Sequence, residues 1–167
     1  DGGIPLYIAV RSGYNVISGI LLHKSEQAGI DANWQTDMGE TLLNIAIEAG
    51  HEQVARILLD FGADLNGMDY MENTAMNIAA EKGNTALVKV LLERGADYDH
   101  PNIIGSTPIM VAAQNGYSAL AELLAEHGAN PSLRNYEGLA AKDYGRFSDA
   151  TADKEIMDAV FELTEGQ

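Results

Sequence analysis

Residues 74–97 read TAMNIAAEKGNTALVKVLLERGAD, and this stretch decides the fold. Thr74 carries a hydroxyl that can cap the exposed amides of a helix start, and Gly83 can supply the left-handed residue that ends a short helix. A second helix is predicted by an apolar stripe at i, i+3 and i+4, formed by Val88, Leu91 and Leu92. Gly95 then ends that helix. The stretch therefore predicts two consecutive helices joined by a glycine turn.

The same pattern recurs along the chain with a period of 33 residues. A glycine-alanine pair followed by Asp or Asn is found at 62–64, 95–97 and 128–130. The threonine at the helix start recurs as Thr41, Thr74 and Thr107, and the glycine between the helices recurs as Gly50, Gly83 and Gly116. Pro5 and Pro108 stand at the first helical position, which suits proline. These coincident markers predict tandem helical hairpins joined by extended turns, here called fingers.

The helix starts resemble the Thr-Pro-Leu-His-x-Ala motif of the ankyrin repeat, and the glycine-alanine-acid closings resemble its end. The starts lie at 4–9, 41–46, 74–79 and 107–112, with a degraded copy at 140–145. The resemblance implies an all-α ankyrin-repeat solenoid of helix-turn-helix units joined by β-turn or hairpin fingers. We divide a single domain, 1–167, into units that end with a capping repeat: 1–33, 34–66, 67–99, 100–132 and 133–167.

The sequence departs from the family at the histidine of that motif. The replacements are Tyr7, Asn44, Asn77, Met110 and Asp143. In the family this histidine bonds to backbone and ties neighbouring repeats together. Asn can imitate that bond, but Met cannot donate one, so the fourth repeat is expected to be held more by packing.

Both ends of the predicted stack differ from its middle. The first interval, from Ile4 to Thr41, is 37 residues long, and the extra residues within 23–28 are expected to lengthen a helix or bulge from its end. Acidic residues between 149 and 165 give the last predicted helix the polar outer face that a terminal cap needs. No equally polar cap precedes Ile4, so we expect upstream sequence to cover that end.

Composition excludes several classes of function. The net charge of −15 argues against a phosphate-binding surface for nucleic acid and against docking on an anionic membrane. No apolar run approaches the ~20 residues needed to span a bilayer. The sequence has no cysteine, which is compatible with a reducing compartment. We expect a monomer in the cytoplasm or nucleus.

No pattern in the sequence indicates chemistry. The four histidines, His23, His51, His100 and His127, lack the short spacings of a zinc site. The glycines are not clustered as in a phosphate-binding loop, and no nucleophile elbow is present. The sequence therefore predicts no catalytic, cofactor or metal site, and a protein that is not an enzyme.

The predicted finger tips carry large apolar side chains where water would be expected. They are Met38, Tyr70, Met71, Ile103, Ile104 and Tyr136, and Trp34 lies just before the tip that holds Met38. Polar residues at the end of the first helix of each hairpin, here called the inner helix, complete the candidate surface: Glu48, Glu81, Lys82, Gln114 and Asn115. A contiguous exposed apolar patch commonly marks an interaction site, although some of these side chains can instead pack on the adjacent tip. Acid nearby suits a protein partner with a basic and apolar segment.

The resemblance leaves the context of the domain open. The primary hypothesis is a protein-interaction scaffold that binds its partner through the concave face and the finger tips. Two alternatives are a regulatory segment of a larger enzyme or channel, and a microbial effector that imitates host ankyrin proteins. A free-standing enzyme would need a pocket of convergent ionisable groups, which the sequence does not indicate.

Overall fold

The computed structural model of the protein describes residues 3–24 and 31–144. Over these residues it contains nine helices, one isolated antiparallel bridge between Gln35 and Thr41, and no strand. The chain divides into two compact units, Asp1–Ala75 and Met76–Gln167. The predicted all-α class is confirmed, while the single-domain organisation and its repeat boundaries stay a prediction.

The first unit contains two helical hairpins. The first hairpin is α1 (Gly3–Arg11) with α2 (Asn15–His23), and the second is α3 (Leu42–Glu48) with α4 (Glu52–Asp60). Helix α1 packs against α3, and α2 packs against α4. Like elements therefore lie side by side, as expected for tandem repeats.

The second unit continues the same pattern. Helix α5 (Ala75–Glu81) starts at the last residue of the first unit, and it is followed by α6 (Thr85–Glu93), α7 (Pro108–Gln114), α8 (Ser118–Glu126) and α9 (Ala141–Tyr144). The outer helices bury one leucine at every period, namely Leu58 in α4, Leu91 in α6 and Leu124 in α8. No described helix is both long and apolar enough to cross a membrane.

Two predictions, one about the first repeat and one about the last, fall partly or wholly outside the described residues. Helix α2 ends at His23, with Lys24 as its C-cap, so residues 25–28 of the predicted insertion lie outside the described residues. The predicted acidic cap helix likewise lies outside them, because the description ends at Tyr144.

The predicted threonine caps have different outcomes. Thr41 Oγ1 accepts a hydrogen bond from Asn44 N at 3.1 Å, as an N-cap should. Thr107 has the extended N-cap backbone, but its side chain makes no cap bond, and within the described chain Oγ1 is buried without a partner. The cap prediction is therefore confirmed at Thr41 and wrong at Thr107. Pro108 at the first helical position presets the helical backbone there without help from the hydroxyl.

The turn between the two helices of a hairpin requires glycine for two reasons. Gly13 has φ +73° and Gly83 has φ +64°, a backbone conformation that other residues rarely adopt. A Cβ at Gly13 would lie 2.7 Å from the ring of His51, and a Cβ at Gly83 would lie 2.8 Å from the ring of Tyr117. Each of these aromatic rings comes from the following repeat. The missing side chain therefore permits both the turn and the approach of the next hairpin.

Buried asparagines at the family's histidine position join each hairpin to the finger that follows. Asn44 donates from Nδ2 to Gly67 O at 3.0 Å and to Asn73 O at 3.3 Å. Asn77 repeats this arrangement, with donor–acceptor distances of 3.2 Å to His100 O and 3.4 Å to Ser106 O. The prediction that Asn imitates the family's bond is confirmed. Met110, at the same position, is fully buried and has no N–H or O–H to donate.

We expect Asn44→Ala and Asn77→Ala to lower the free energy of unfolding by about 1–3 kcal/mol each, because each removes two hydrogen bonds to the finger. Gly67 O and His100 O lose the side-chain donor, while Asn73 O and Ser106 O keep a backbone donor. Met110→Leu conserves volume and loses no hydrogen bond, so it should cost less than about 1.5 kcal/mol. Urea unfolding of the three variants at a common slope is the measurement. Asparagine variants as stable as the parent would contradict the assignment.

A second tie joins the loops that close successive repeats. In the first unit Asn33 Oδ1 accepts from Asp64 N at 2.7 Å, and Asn33 Nδ2 donates to Gly62 O at 3.3 Å. In the second unit Asp99 stands at the position equivalent to Asn33, and its carboxylate accepts a hydrogen bond from Asn130 N at 3.0 Å. Burial raises the pKa of Asp99, and the charge of Asp97 adds to the rise, while the bond from Asn130 opposes it.

We expect Asp99→Asn to stabilise the protein at pH 7 by at most a few tenths of a kcal/mol, on the order of a screened surface interaction, because an amide keeps the acceptor and need not bear a partly buried charge. The raised pKa means that the folded parent binds the proton more tightly than the unfolded chain, whose Asp titrates near 3.8. The stability of the parent therefore falls as the pH rises from below 3.8 through the folded pKa. The advantage of the variant should shrink when unfolding is measured in acid.

Asn33→Asp is the reciprocal control for this prediction. It places a carboxylate at the equivalent position of the first unit, so it should destabilise at pH 7 and recover in acid. An Asp99→Asn advantage that is the same at pH 3 and pH 7 would contradict the role given to the charge.

Candidate protein-binding site

Finger 1 (34–40) is a tight turn that exposes Met38. Thr36 N donates to Glu40 O at 3.0 Å, and Gly39 N donates to Thr36 O at 2.9 Å. Gly39 has φ +80°, so the chain reverses sharply at the tip. Met38 is 68% exposed and stands two residues before Glu40. The turn thus holds an apolar side chain and a carboxylate close together.

Finger 2 (67–73) repeats this turn and exposes Tyr70 and Met71. The carboxylate of Asp69 accepts from Met71 N and from Asn73 N, both at 2.8 Å, and fixes the tip. Tyr70 is 63% exposed and Met71 is 38% exposed. Glu72 occupies the place of Gly39 and has φ +60°, which makes it the one non-glycine with positive φ among the described residues.

Fingers 3 (100–106) and 4 (133–139) meet within the second unit. Asn102 Oδ1 accepts from Ile104 N at 3.2 Å, the same role that Asp69 has in finger 2. Tyr136 N donates to Ile104 O at 3.1 Å, and a Cβ on Gly105 would lie 2.9 Å from the Tyr136 ring. The tyrosine nevertheless remains 79% exposed, and Ile103 and Ile104 are exposed beside it. The structure therefore brings Ile104 and Tyr136 together, as the side-by-side arrangement of tips predicts.

The polar residues predicted at the inner-helix ends are all exposed, namely Glu48, Glu81, Lys82, Gln114 and Asn115. Asn115 Nδ2 donates to Val111 O at 2.9 Å at the end of its own helix, so its side-chain amide already has one hydrogen-bond partner. The three finger-tip residues of the first unit and the three of the second unit are exposed as well, but the structure does not test their role in binding. That role stays a prediction.

An open cavity of about 340 Å³ lies in the first unit, between the inner helices α1 and α3. It is lined by Tyr7, Arg11, Glu40, Ile45, Glu48 and Ala49. Finger 1 delivers Glu40, and the last residue of α3 delivers Glu48. The lining therefore combines an aromatic ring and an aliphatic side chain with two carboxylates and one guanidinium.

Arg11 is held on one side of this cavity by Tyr7. The guanidinium donates to the Tyr7 hydroxyl, and its central carbon lies 5.8 Å from the centre of the ring. The hydrogen bond to Tyr7 raises the pKa of Arg11 above its ordinary value, and the charges of Glu40 and Glu48 contribute in the same direction. Arg11 therefore stays charged, and two carboxylates face one fixed cation across the cavity.

Trp34 contacts Tyr7, one of the residues that line the cavity. Its ring centre is 5.9 Å from that of Tyr7, with a tilted geometry. A Cβ on Gly3 would lie 2.1 Å from the indole Nε1, so the indole rests directly on the start of α1. The predicted role of Trp34 in binding stays a prediction, but the structure associates it with Tyr7 and Arg11.

Two cavity residues, Tyr7 and Ile45, were absent from the sequence-predicted surface, whereas Arg11 belongs to it as the end of the first inner helix. Tyr7 stands at the family's histidine position and Arg11 at the end of its helix, so both lie on the inner helix of the first repeat. A signal was present, because replacing that histidine with a tyrosine exchanges the imidazole for a larger phenol ring that carries a hydroxyl. Neither the register nor the spacing indicates that the cavity forms beside them.

The comparison with known families agrees with this architecture. A family profile for ankyrin repeats, in three copies, matches residues 6–102 and 68–135. The match covers more than half of the chain, which therefore belongs to the ankyrin-repeat family. Ankyrin repeats are generally protein–protein interaction modules and are typically not enzymes. A comparison with curated proteins gave no match. Among the described residues no group of three or more acidic or histidine side chains is placed to hold a metal ion.

The packing of Trp34 on Gly3 can be tested by fluorescence, because the chain has a single tryptophan. We expect Gly3→Ala to displace the indole and shift its emission maximum to the red, since a Cβ would lie 2.1 Å from Nε1. Gly19→Ala is the matched control, because Gly19 lies inside α2 and has no atom within 4 Å of a Cβ. It should leave the emission unchanged and stabilise the protein by about 0.5–1 kcal/mol. Unchanged emission in Gly3→Ala would contradict the placement of the indole.

Proposed function

We propose that this chain is a protein-interaction module whose first unit binds a segment carrying a Lys or Arg close to an apolar side chain. The observation that supports this most directly is the open cavity in which Glu40 and Glu48 face a single cation. The exposed Met38 lies two residues from Glu40. One partner segment of a few residues can therefore reach the carboxylates and an apolar anchor point together.

The charges of the cavity favour a basic side chain. Two carboxylates and one guanidinium line the cavity, so one negative charge is left over among the lining residues. The whole chain carries a net charge of −15, which attracts a basic segment over a distance set by the ionic strength. Complementary charge of this kind contributes chiefly to the association rate and to the choice of partner.

The apolar part of the proposed contact is formed by Met38, Tyr70 and Met71. All three are exposed, and the hydrogen-bonded turns of fingers 1 and 2 hold their backbone in place. Tyrosine and methionine are enriched at protein interfaces, and the unbranched methionine side chain adapts to partners of different shape. A preformed turn that displays these side chains reduces the ordering cost of binding.

The second unit offers a contact surface of its own. Ile103, Ile104 and Tyr136 provide apolar area at its finger tips, and Glu81, Lys82, Gln114 and Asn115 provide polar groups at the ends of its inner helices. We propose that this surface binds protein as well, through a less charged segment than the one at the first unit. The concave face expected of ankyrin repeats is the surface on which we place both contacts.

The setting that we propose is intracellular, in the cytoplasm or nucleus, with the chain acting as a monomeric scaffold and performing no reaction. The absence of cysteine suits a reducing compartment. The acidic charge disfavours nucleic acid and anionic membrane as partners.

Selection from a random peptide library displayed on phage, with residues 1–167 as bait, tests the proposal. We expect enriched peptides to carry Lys or Arg close to an apolar residue. Their affinity should fall at least about tenfold, or 1.4 kcal/mol, in Glu40→Gln/Glu48→Gln and in Met38→Ser/Tyr70→Ser/Met71→Ser. The melting temperature should change little, because surface substitutions usually stay within about 0.5 kcal/mol.

Glu93→Gln/Glu126→Gln is the matched charge control. It removes two negative charges from exposed positions at the ends of the outer helices α6 and α8. It should leave the affinity within about twofold, because neither residue lines the cavity of the first unit. Equal losses in this variant and in Glu40→Gln/Glu48→Gln would indicate general attraction between charges and would contradict the proposed site.

A further inference from the structure

The first repeat exposes an apolar face that is distinct from the proposed binding site. This N-terminal face is formed by Ile4 and Ile8 of α1, by Ile17, Ile20 and Leu21 of α2, and by Tyr14 in the turn between the two helices. Ile4, Ile8, Ile17 and Ile20 are each about half exposed, and Tyr14 is 55% exposed. Clustered apolar side chains at helical spacing on one repeat are unusual for a surface that faces only water.

Most of these positions are buried in the second repeat, where a preceding repeat covers them, and the counterparts of Ile20 and Tyr14 are half-buried there. With the interval of 37 residues, Ile8 corresponds to Ile45 and Ile17 to Val54. Ile45 is 8% exposed and Val54 is 1% exposed, because α1 and α2 pack against α3 and α4. The N-terminal face is therefore the face by which a repeat receives the repeat before it.

Tyr14 adds a specific requirement to this face. Its counterparts His51 and Tyr117 each place a ring against the left-handed glycine of the preceding repeat, Gly13 and Gly83 respectively. His51 Nε2 also lies 3.1 Å from Arg11 O at the end of the preceding helix. The ring of Tyr14 is in position to make the same contact with a glycine turn that lies before it.

We infer that the N-terminal face docks a further ankyrin hairpin of the same polypeptide, lying before residue 1, whose first helix ends in a left-handed glycine beneath Tyr14. The packing of the first hairpin on the second indicates that the occupant is another hairpin. The positions exposed on the N-terminal face correspond largely to those that this packing buries in the second repeat. The connection between repeats indicates that the docked hairpin belongs to the same polypeptide. Finger 2 connects the second hairpin to the next inner helix, and Asn44 bonds to both ends of it. Neighbours in this stack are therefore consecutive in sequence, and a preceding hairpin would enter α1 through such a finger.

Cysteine labelling can test this inference, because the sequence contains no cysteine and a single introduced thiol is unique. Ile17→Cys places the thiol on the N-terminal face. Val16→Cys is the matched control, because the residue that corresponds to Val16 in the second repeat, Gln53, stays exposed although that repeat is covered. Both positions are exposed in residues 1–167, so both thiols should react rapidly there with a small maleimide.

In the full-length gene product we expect the Ile17→Cys thiol to react at least about tenfold more slowly than in residues 1–167, as a buried position does. The Val16→Cys thiol should keep its rate within about twofold. Equal rates for Ile17→Cys in the two proteins would overturn the inference. Protection of Ile17→Cys in residues 1–167 that grows with protein concentration would also overturn it, because a second copy would then be the occupant.

A chimera separates docking from the identity of the natural upstream sequence. Residues 41–72 are duplicated directly before Gly3, so that Gly3 is retained against Trp34 and the added copy of Gly50 falls one repeat before Tyr14. We expect Tyr14→Ala to lower the melting temperature of the chimera by about 2–8 °C and that of residues 1–167 by less than about 1 °C. Equal effects of Tyr14→Ala in both proteins would show that the face does not receive a hairpin in this way. Peptide binding by the Tyr14→Ala chimera should match that of the parent, so this result is independent of the proposed function.

Discussion

A residue without a side chain, held in a left-handed conformation between two helices, is the constraint on which the remaining structure depends. Gly13 and Gly83 reverse the chain within a hairpin and at the same time leave room for the ring of the next repeat. Any Cβ at these positions would strain the turn and would also separate the neighbouring hairpins. The absence of a Cβ at these glycines therefore permits both the turn geometry and the close stacking of the next repeat.

The candidate site follows from this stacking. Because α1 and α3 lie side by side, the end of each inner helix presents its last side chains to the same cavity, and Arg11 meets Glu48 there without any dedicated loop. The finger that enters α3 adds Glu40 beside them. Neither helix alone contains a site. The cavity exists because consecutive repeats place the ends of their inner helices next to each other, which is how repeat proteins generally build binding surfaces.

The sequence was sufficient to predict the helical hairpins, because apolar spacing, proline and glycine each indicate the local conformation of the backbone. Stacking between repeats then stabilises that same conformation. It also distinguished exposed methionines such as Met38 from buried ones such as Met110, since the period fixes their register. It failed at Thr107, where a favourable cap residue makes no cap bond, and it did not place Trp34 on Gly3. Both outcomes depend on neighbours that lie outside the local pattern. The cavity was missed for the same reason, because it depends on side chains from three separate segments.

Glu72 shows that one finger differs energetically from the others. Gly39, Gly105 and Gly138 hold the equivalent place with φ between 78° and 80°, whereas a glutamate at 72 adopts φ +60°. A side chain in that region costs on the order of 1–2 kcal/mol, a noticeable fraction of the margin by which a domain of this size stays folded. The chain thus tolerates a local conformational penalty in the very turn that displays Tyr70 and Met71. Such a conformation persists where the surrounding structure fixes it, and here the Asp69 carboxylate accepts from Met71 N and Asn73 N on either side of Glu72.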